Sequence, residues 1–388
     1  MNSFEFRNPT KILFGKGKIA QLKSNIPANA SILFVYGGGS IKKNGIYDQA
    51  MQELAGFEVT EFGGIEANPR YETLMKAVAL GREKKINFIL AVGGGSVIDG
   101  AKFLALAIPY EAGDPWDMLV QQTAAKQKNV IPIGTKLTLP ATGSEMNGSS
   151  VISRESTREK LAFGAPSVYP VFSILDPTVV KTLPRIQVVN GVIDSFCHVL
   201  EQYMTYPADA PIQDRFAEGI LSTLIEIGPK VVENQQDEVL AGNFMWACTQ
   251  ALNGWLSQGV PTDWATHRIG HELTALYGID HAQTLAIIGP NLYRVMFTHK
   301  KDKLAQFAER VWGIKEGSTE EKAKAAIEKT AEFFRSLGVK TKLSEYTPDY
   351  QQTADIIYNR FKTRNWLGLG ENGIVTIDKV KEIVELSY

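Results

Sequence analysis

Two glycine triplets, each closing a short apolar run, constrain this chain more than any other feature. SILFVYGGG (31–39) and NFILAVGGGS (87–96) each read as a buried strand that ends in a glycine turn. Between them, NPRYETLMKAVALGREKK (68–85) has helical periodicity and a basic end that suits a helix C-terminus. Strand, helix and second strand make a βαβ unit, the mark of a parallel sheet covered by helices. NVIPIGTKLTLPATGSE (129–145) adds a buried strand and a polar turn. SSVISRESTREKLAFG (149–164) reads as a hairpin-like piece, and PVFSILDPTVVKTLP (170–184) carries the last strand-like run.

From about Ile186 onward strand candidates nearly vanish and helical stretches take over: 213–232, 238–254, the run after His281, and 319–338. The charged runs within 300–326 read as the solvent faces of such helices. At 388 residues the chain is long enough for two domains. The expected organisation is an α/β domain over 1–180 and an all-helical domain over 181–388, with the boundary near Asp176 to Pro184, where a strand ends in Asp-Pro.

Lysine and arginine number 41 against 42 acids, so no basic field is present to hold nucleic acid or an anionic membrane. A small-molecule partner is expected instead. Cys197 and Cys248 are too few and too far apart for a disulfide framework or a cysteine-built metal site, and they read as core thiols in a reducing compartment. MNSFEFRNPTKILFG has neither the apolar stretch of a signal peptide nor a transmembrane length, so a cytoplasmic location is expected.

AVGGGSVIDGAK (91–102) combines a strand, a glycine turn and a helix start. Gly93 to Gly95 permit close backbone approach, and Ser96 with the first helix amides can hold a pyrophosphate against the positive helix end. The pattern departs from G-x-G-x-x-G, and a tight packing turn is the plain alternative. After Gly37 to Gly39 come Ser40, Lys42 and Lys43, with no acid until Asp48. An acid there would repel a 2′-phosphate, so the site reads as preferring NADP(H) to NAD(H), unless both lysines are merely solvated. Thr138, Thr142 and Asn147 are short polar groups that could meet riboses, phosphates or the nicotinamide amide, or only complete the turn. Lys160 follows them and could return to a cofactor.

Of five histidines, four fall between 198 and 281. Asp194 and His198 are four apart on an expected helix, and HRIGHELTALYGIDH supplies His267, His271 and His281. The order H-x-x-x-H-E displaces Glu272 from the base position of a zinc protease, which argues against peptide hydrolysis. Imidazoles with one carboxylate are a sound inventory for Zn²⁺ or Fe²⁺; buried polar contacts are the alternative. His299, before KKDK, reads as a surface residue at a helix C-terminus.

These residues resemble those of the iron-containing, or group III, alcohol dehydrogenases, in the branch of NADPH-dependent aldehyde reductases and butanol dehydrogenases. The likeness runs from PTKILFGKGKI through VYGGGSIKKNGIYD, GGIEANPR, AVGGGSVIDGAK, LTLPATGSEMN, SILDPTVVKTLP and GVIDSFCHVLEQY to HRIGHELTALYGIDHAQTLAI. It implies a dehydroquinate-synthase-like fold, with an α/β dinucleotide domain, an all-helical metal domain and an active site in the cleft between them. It implies one divalent ion, iron or zinc, on Asp194, His198, His267 and His281, with His271 as the extra histidine near metal and nicotinamide. Gly37, Gly38 and Ser40 match the adenosine-phosphate turn, and Gly94, Gly95 and Ser96 the pyrophosphate turn. Asp99, Thr138, Thr142, Asn147 and Lys160 resemble further cofactor positions, whereas Val179 stands where some relatives have an aromatic. Relatives are commonly homodimers. The expected reaction is hydride transfer between NADP(H) and short- or medium-chain alcohols and aldehydes.

Other readings stay in view. An NAD(H)-dependent member of the same family differs only in cofactor. A phosphate-releasing cyclase needs basic residues around a polyanionic substrate, whereas Trp255, Leu256, Trp264 and Ile269 make the histidine neighbourhood comparatively apolar. A glycerol dehydrogenase shares the architecture but matches the motifs less closely, and a catalytically silent nucleotide-binding protein would turn over no aldehyde.

Overall fold

The computed structural model describes residues 1–388. Its strands are β1 Lys11–Phe14, β2 Ser31–Tyr36, β3 Glu58–Phe62, β4 Phe88–Gly94, β5 Ile133–Leu139, β6 Ser149–Arg154, β7 Glu159–Gly164, β8 Phe172–Leu175, β9 Gly368–Leu369 and β10 Val375–Thr376. The helices are α1 Ser40–Lys43, α2 Ile46–Glu53, α3 Tyr71–Glu83, α4 Gly95–Ala107, α5 Asp117–Val120, α6 Arg185–Tyr203 and α7 Pro211–Glu233. They continue with α8 Glu238–Ala251, α9 Ala265–Tyr277, α10 His281–Val295, α11 Phe297–Arg310, α12 Thr319–Ser336, α13 Thr353–Thr363 and α14 Ile377–Leu386.

The chain forms two compact units. One comprises Arg7–Val188 and Asn234–Asn253, and is built on a six-stranded sheet in the order β1-β8-β5-β4-β2-β3. Every pairing in that sheet is parallel. Ile32 to Val35 and Phe88 to Val92 are buried without alternation, as strands covered on both faces must be. The chain runs from β2 out to β3 and then back across β2 to β4. The carboxyl ends of β2 and β4 therefore flank a topological switch point, where such sheets bind ligands. β6 and β7 pair as the separate antiparallel hairpin that the sequence suggests.

Helix α8 belongs with this sheet although it lies far downstream of residue 180. Gln235 Nε2 donates to the carbonyls of Val180 and Leu183 at 2.8 Å each, and Thr249 Oγ1 donates to buried Glu145 at 2.5 Å. Strands β1 and β3 carry weak sequence signals because both are short edges: KILF looks like a leader into a turn, and EVTEF is too polar.

The other unit comprises Met1–Phe6, Val189–Glu233 and Gly254–Tyr388. It is predominantly helical; the two-residue strands β9 and β10 form a small antiparallel ribbon, a departure from the all-helical expectation. Ser318 and Glu321 form the capping box that starts α12. Lys300 corrects the reading of the 300–326 charges as solvent faces. It is 1% exposed and donates to Asp263, Glu371 and the carbonyl of Met204 at 2.6–2.7 Å. His299 is exposed but lies in the first turn of α11, because α10 already ends at Val295. Neither cysteine forms a disulfide, and both are buried. No helix is long and apolar enough to cross a membrane.

Candidate metal centre and nucleotide turns

The metal candidates come from three helices of one unit. Asp194 and His198 share a face of α6, His267 and His271 share a face of α9, and His281 opens α10. What brings α9 and α10 together is Gly270, between the two histidines of α9. A Cβ there would stand 2.7 Å from Thr284 Oγ1 and 3.2 Å from a Leu285 methyl, so any side chain would push α10 away.

Around Asp194 Oδ1 lie the Nε2 atoms of His198 at 3.7 Å, His267 at 3.8 Å and His281 at 3.7 Å. These separations are too long for hydrogen bonds. Ligands bound at about 2.0–2.2 Å in a tetrahedron stand roughly 3.3–3.6 Å apart, so the cluster is slightly wider than a filled site. Asp194 Oδ1 and His267 Nε2 are buried without a hydrogen-bond partner. Orphaned donors and acceptors in a core cost free energy unless something joins them, and a cation among four converging ligand atoms does so. The residues present therefore fit one divalent ion.

The three ligand atoms of Asp194, His267 and His281 all lie within 4.8 Å of one another. His198 joins through Asp194, its ring stacked on that of His267 with centroids 4.6 Å apart. His271 stands beside the cluster, half-buried, 4.9 Å from His281 ring to ring. Trp264, at a left-handed φ of 65°, lays its ring edge-on to His267 at 5.4 Å.

Charge states follow the same geometry. Burial pushes the Asp194 carboxyl up, but the three imidazoles outweigh it and hold the group well below the usual carboxylate range. Burial lowers His198 to about 4, which keeps its imidazole neutral as a ligand must be. At His267 burial also opposes the charged form, yet Glu201 and Asp194 prevail and raise it to about 9. A metal bound at Nε2 would take the place of that proton.

Glu201 was not foreseen. It accepts from Nδ1 of His267 and from the backbone amides of Thr266 at 2.6 Å and His267 at 3.3 Å, which fixes both the ring and the start of α9. Its signal was available: Asp194, His198 and Glu201 are spaced i, i+4, i+7 along α6. Glu272 is locked between Arg360, at 2.8 Å, and Arg364, and is 3% exposed, so it offers no free base.

In the sheet unit, Gly94 precedes α4 with no side-chain cap on the helix amides. A Cβ on Gly95 would stand 2.4 Å from Thr142 Oγ1, so only glycine lets these turns meet. Ser96 Oγ accepts from the amide of Asn68 at 3.2 Å, and Lys160 Nζ donates to Asn68 Oδ1 at 2.8 Å. Asn68, missed in the sequence, thus joins two predicted positions. Uncapped amides, a close backbone and a lysine at a switch point fit a pyrophosphate.

Asp99 is tied inward, accepting from Ser144 Oγ at 2.6 Å and the Val151 amide at 2.9 Å. Asn147 accepts from the fully buried Lys102 at 2.9 Å and donates to the carbonyls of Gly143 and Leu252. Thr138 is half-buried at the end of β5, and Thr142 Oγ1 accepts from the Ser144 amide at 3.2 Å. Gly37 and Gly38 lie in the turn between β2 and α1, Ser40 is the first residue of α1, and Val179 is buried in the turn Pro177–Thr182.

A parallel sheet with a glycine turn at its switch point and a helical unit holding one aspartate among histidines define a metal-dependent dinucleotide oxidoreductase as the class. Family models agree: that of iron-containing alcohol dehydrogenases matches residues 9–177, and that of the family's C-terminal domain matches 188–383. The chain belongs to the iron-containing alcohol dehydrogenase family. It is 54% identical over 387 residues to the NADPH-dependent aldehyde reductase YqhD of Escherichia coli, covering 99% of each chain. It is 43% identical to a probable NADH-dependent butanol dehydrogenase of Bacillus subtilis, covering 91% of this chain and 92% of the other. The substrate- and cofactor-free structure of YqhD superposes with a TM-score of 0.92 at 52% identity, covering 100% of both chains. An NADH-dependent butanol dehydrogenase from Thermotoga maritima gives 0.91 at 35% identity, covering 100% of this chain and 99% of the other.

Proposed function

We propose that the chain is an NADP(H)-dependent alcohol dehydrogenase that acts as an aldehyde reductase on short- and medium-chain carbonyl compounds, butanal among them. The observation that carries this is the convergence of three imidazole nitrogens on an Asp194 oxygen that has no hydrogen-bond partner. Asp194, His198, His267 and His281 would hold iron or zinc. Gly37, Gly38 and Ser40 would hold the adenosine phosphate, Gly94, Gly95 and Ser96 the pyrophosphate, with Thr138, Thr142 and Lys160 as further contacts. Asp99 and Asn147 would serve by tying down the turn those contacts stand on. When bound, the ion polarises the substrate carbonyl and the reduced nicotinamide supplies hydride to its carbon.

The chain's own groups do the rest. Glu201, by accepting from Nδ1 of His267, keeps the other ring nitrogen turned toward Asp194. His271, next to His281, is the group proposed to deliver the proton that completes the alcohol. The division of labour falls near residue 180, with nucleotide work before it and metal work after. A cytoplasmic homodimer is part of the same reading, and light scattering would test the dimer.

The deciding experiment is butanal reduction by metal-reconstituted protein, with consumption of NADPH and NADH compared. Preference for NADPH is expected. No turnover with either cofactor at confirmed metal occupancy would sink the assignment. Preference for NADH would select the second reading, an NAD(H)-dependent member, which draws on a carboxylate beside Lys42.

A further inference from the structure

The turn after β2 leads into Lys42 and Lys43, and along the chain no acid follows until Asp48. The neighbouring strand supplies one. Glu61, near the carboxyl end of β3, is in register with Phe34 of β2. Its Oε1 accepts from Tyr47 OH at 2.5 Å and its Oε2 from Tyr36 OH at 3.4 Å. Lys42 Nζ stands 3.6 Å from Glu61 Oε2, with the Tyr36 and Tyr47 ring centroids at 5.0 and 4.5 Å. In many dinucleotide folds the acid that bonds the ribose hydroxyls ends the strand next to the pyrophosphate turn, which here is β2; Glu61 stands one strand further out and reaches that turn through Lys42.

Two phenols and a cation fix this carboxylate beside the turn. A 2′-phosphate arriving there meets opposing influences. Lys42 attracts it, while Glu61 repels it and also offsets the lysine. We propose that Glu61 sets how strongly this chain favours a 2′-phosphorylated adenine dinucleotide over the unphosphorylated one, by offsetting Lys42 and holding a carboxylate beside the turn. The inference rests on the reading of Gly37 to Ser40 as the adenosine-phosphate turn.

The test is calorimetric titration of the full-length protein and its E61Q and K42M variants with 2′,5′-ADP and with 5′-AMP at low ionic strength. Glutamine keeps an acceptor for Tyr47 and removes only the charge. E61Q is expected to bind 2′,5′-ADP about three- to fivefold more tightly, the scale of a partly exposed charge pair, with 5′-AMP unchanged and the gain fading in high salt. K42M approaches from the opposite side and weakens 2′,5′-ADP selectively, which keeps the claim testable should E61Q misfold. An unchanged affinity for 2′,5′-ADP in E61Q, or an equal change for both nucleotides, overturns the role of Glu61. A wild type that prefers 5′-AMP overturns the NADP(H) reading alone, and Glu61 then stands if E61Q still moves the ratio. A wild type that binds neither nucleotide overturns both.

Discussion

Glu201 accepts a hydrogen bond from one nitrogen of His267 while the other nitrogen of the same ring faces Asp194. The carboxylate thus fixes tautomer and orientation together and raises the basicity of the ligand nitrogen. E201A is expected to weaken metal binding by about 10- to 100-fold, read by chelator competition with metal analysis. E201Q keeps the side chain's volume and one of the two acceptor oxygens that Thr266 and His267 use, and should lose less. Unchanged metal affinity in E201A would remove Glu201 from the site.

His267 and His271 lie on one helix face yet are assigned different work, and alanine substitution separates them. H267A should lose metal and turnover together; retained metal with near-normal turnover would end the ligand assignment. H271A should keep its metal and lose roughly 10²- to 10⁴-fold in kcat, the usual range for a proton donor. A pH–rate profile that H271A leaves unaltered would send the proton route elsewhere.

The close crossing of α9 and α10 depends on Gly270 more than on either helix's own propensity. G270A places a methyl 2.7 Å from Thr284 Oγ1 and should destabilise the protein by about 1–3 kcal/mol, as overpacked sites do. Urea unfolding measures it. Because His281 opens α10, the same variant should also bind metal more weakly. A gain in stability, as expected for alanine replacing glycine in an unobstructed helix, would refute the close-contact argument.

Strands β2 and β4 and the helix α3 were legible because the strands are apolar throughout and the helix is amphipathic, but they do not form one βαβ unit, since α1, α2 and the edge strand β3 stand between β2 and α3. So were the metal candidates, since histidine is rare in this chain and i, i+4 spacing fixes a shared face. What stayed hidden depends on pairs distant in sequence. Glu61 acts on Lys42 only because β3 pairs with β2, and a scan for the next acid along the chain passes over it. Lys300 looked like solvent decoration because its partners, Asp263 and Glu371, stand 37 and 71 residues away. Helix α8 reads as part of the helical half, and only long-range bonds such as Thr249 to Glu145 attach it to the sheet.

That buried lysine leads to a prediction about pH. Lys300 lies between Asp263 and Glu371, two carboxyls against one ammonium. Burial, together with Asp263, raises Glu371 to about 8, while Asp263 is held below its ordinary value. A carboxyl whose pKa is higher in the folded than in the unfolded chain contributes stability that is fully present below its unfolded value of 4.5 and is lost as pH rises toward 8. Asp263 has the opposite sign, but its contribution changes only below 3.8, outside that window. Between pH 5 and 8 this site should therefore lower stability as pH rises, by at most about 1.4 kcal/mol per pH unit. E371Q, which mimics the protonated acid, should flatten that slope relative to wild type in thermal melts at constant ionic strength. Parallel wild-type and E371Q slopes would mean that Glu371 titrates alike in the folded and unfolded chains.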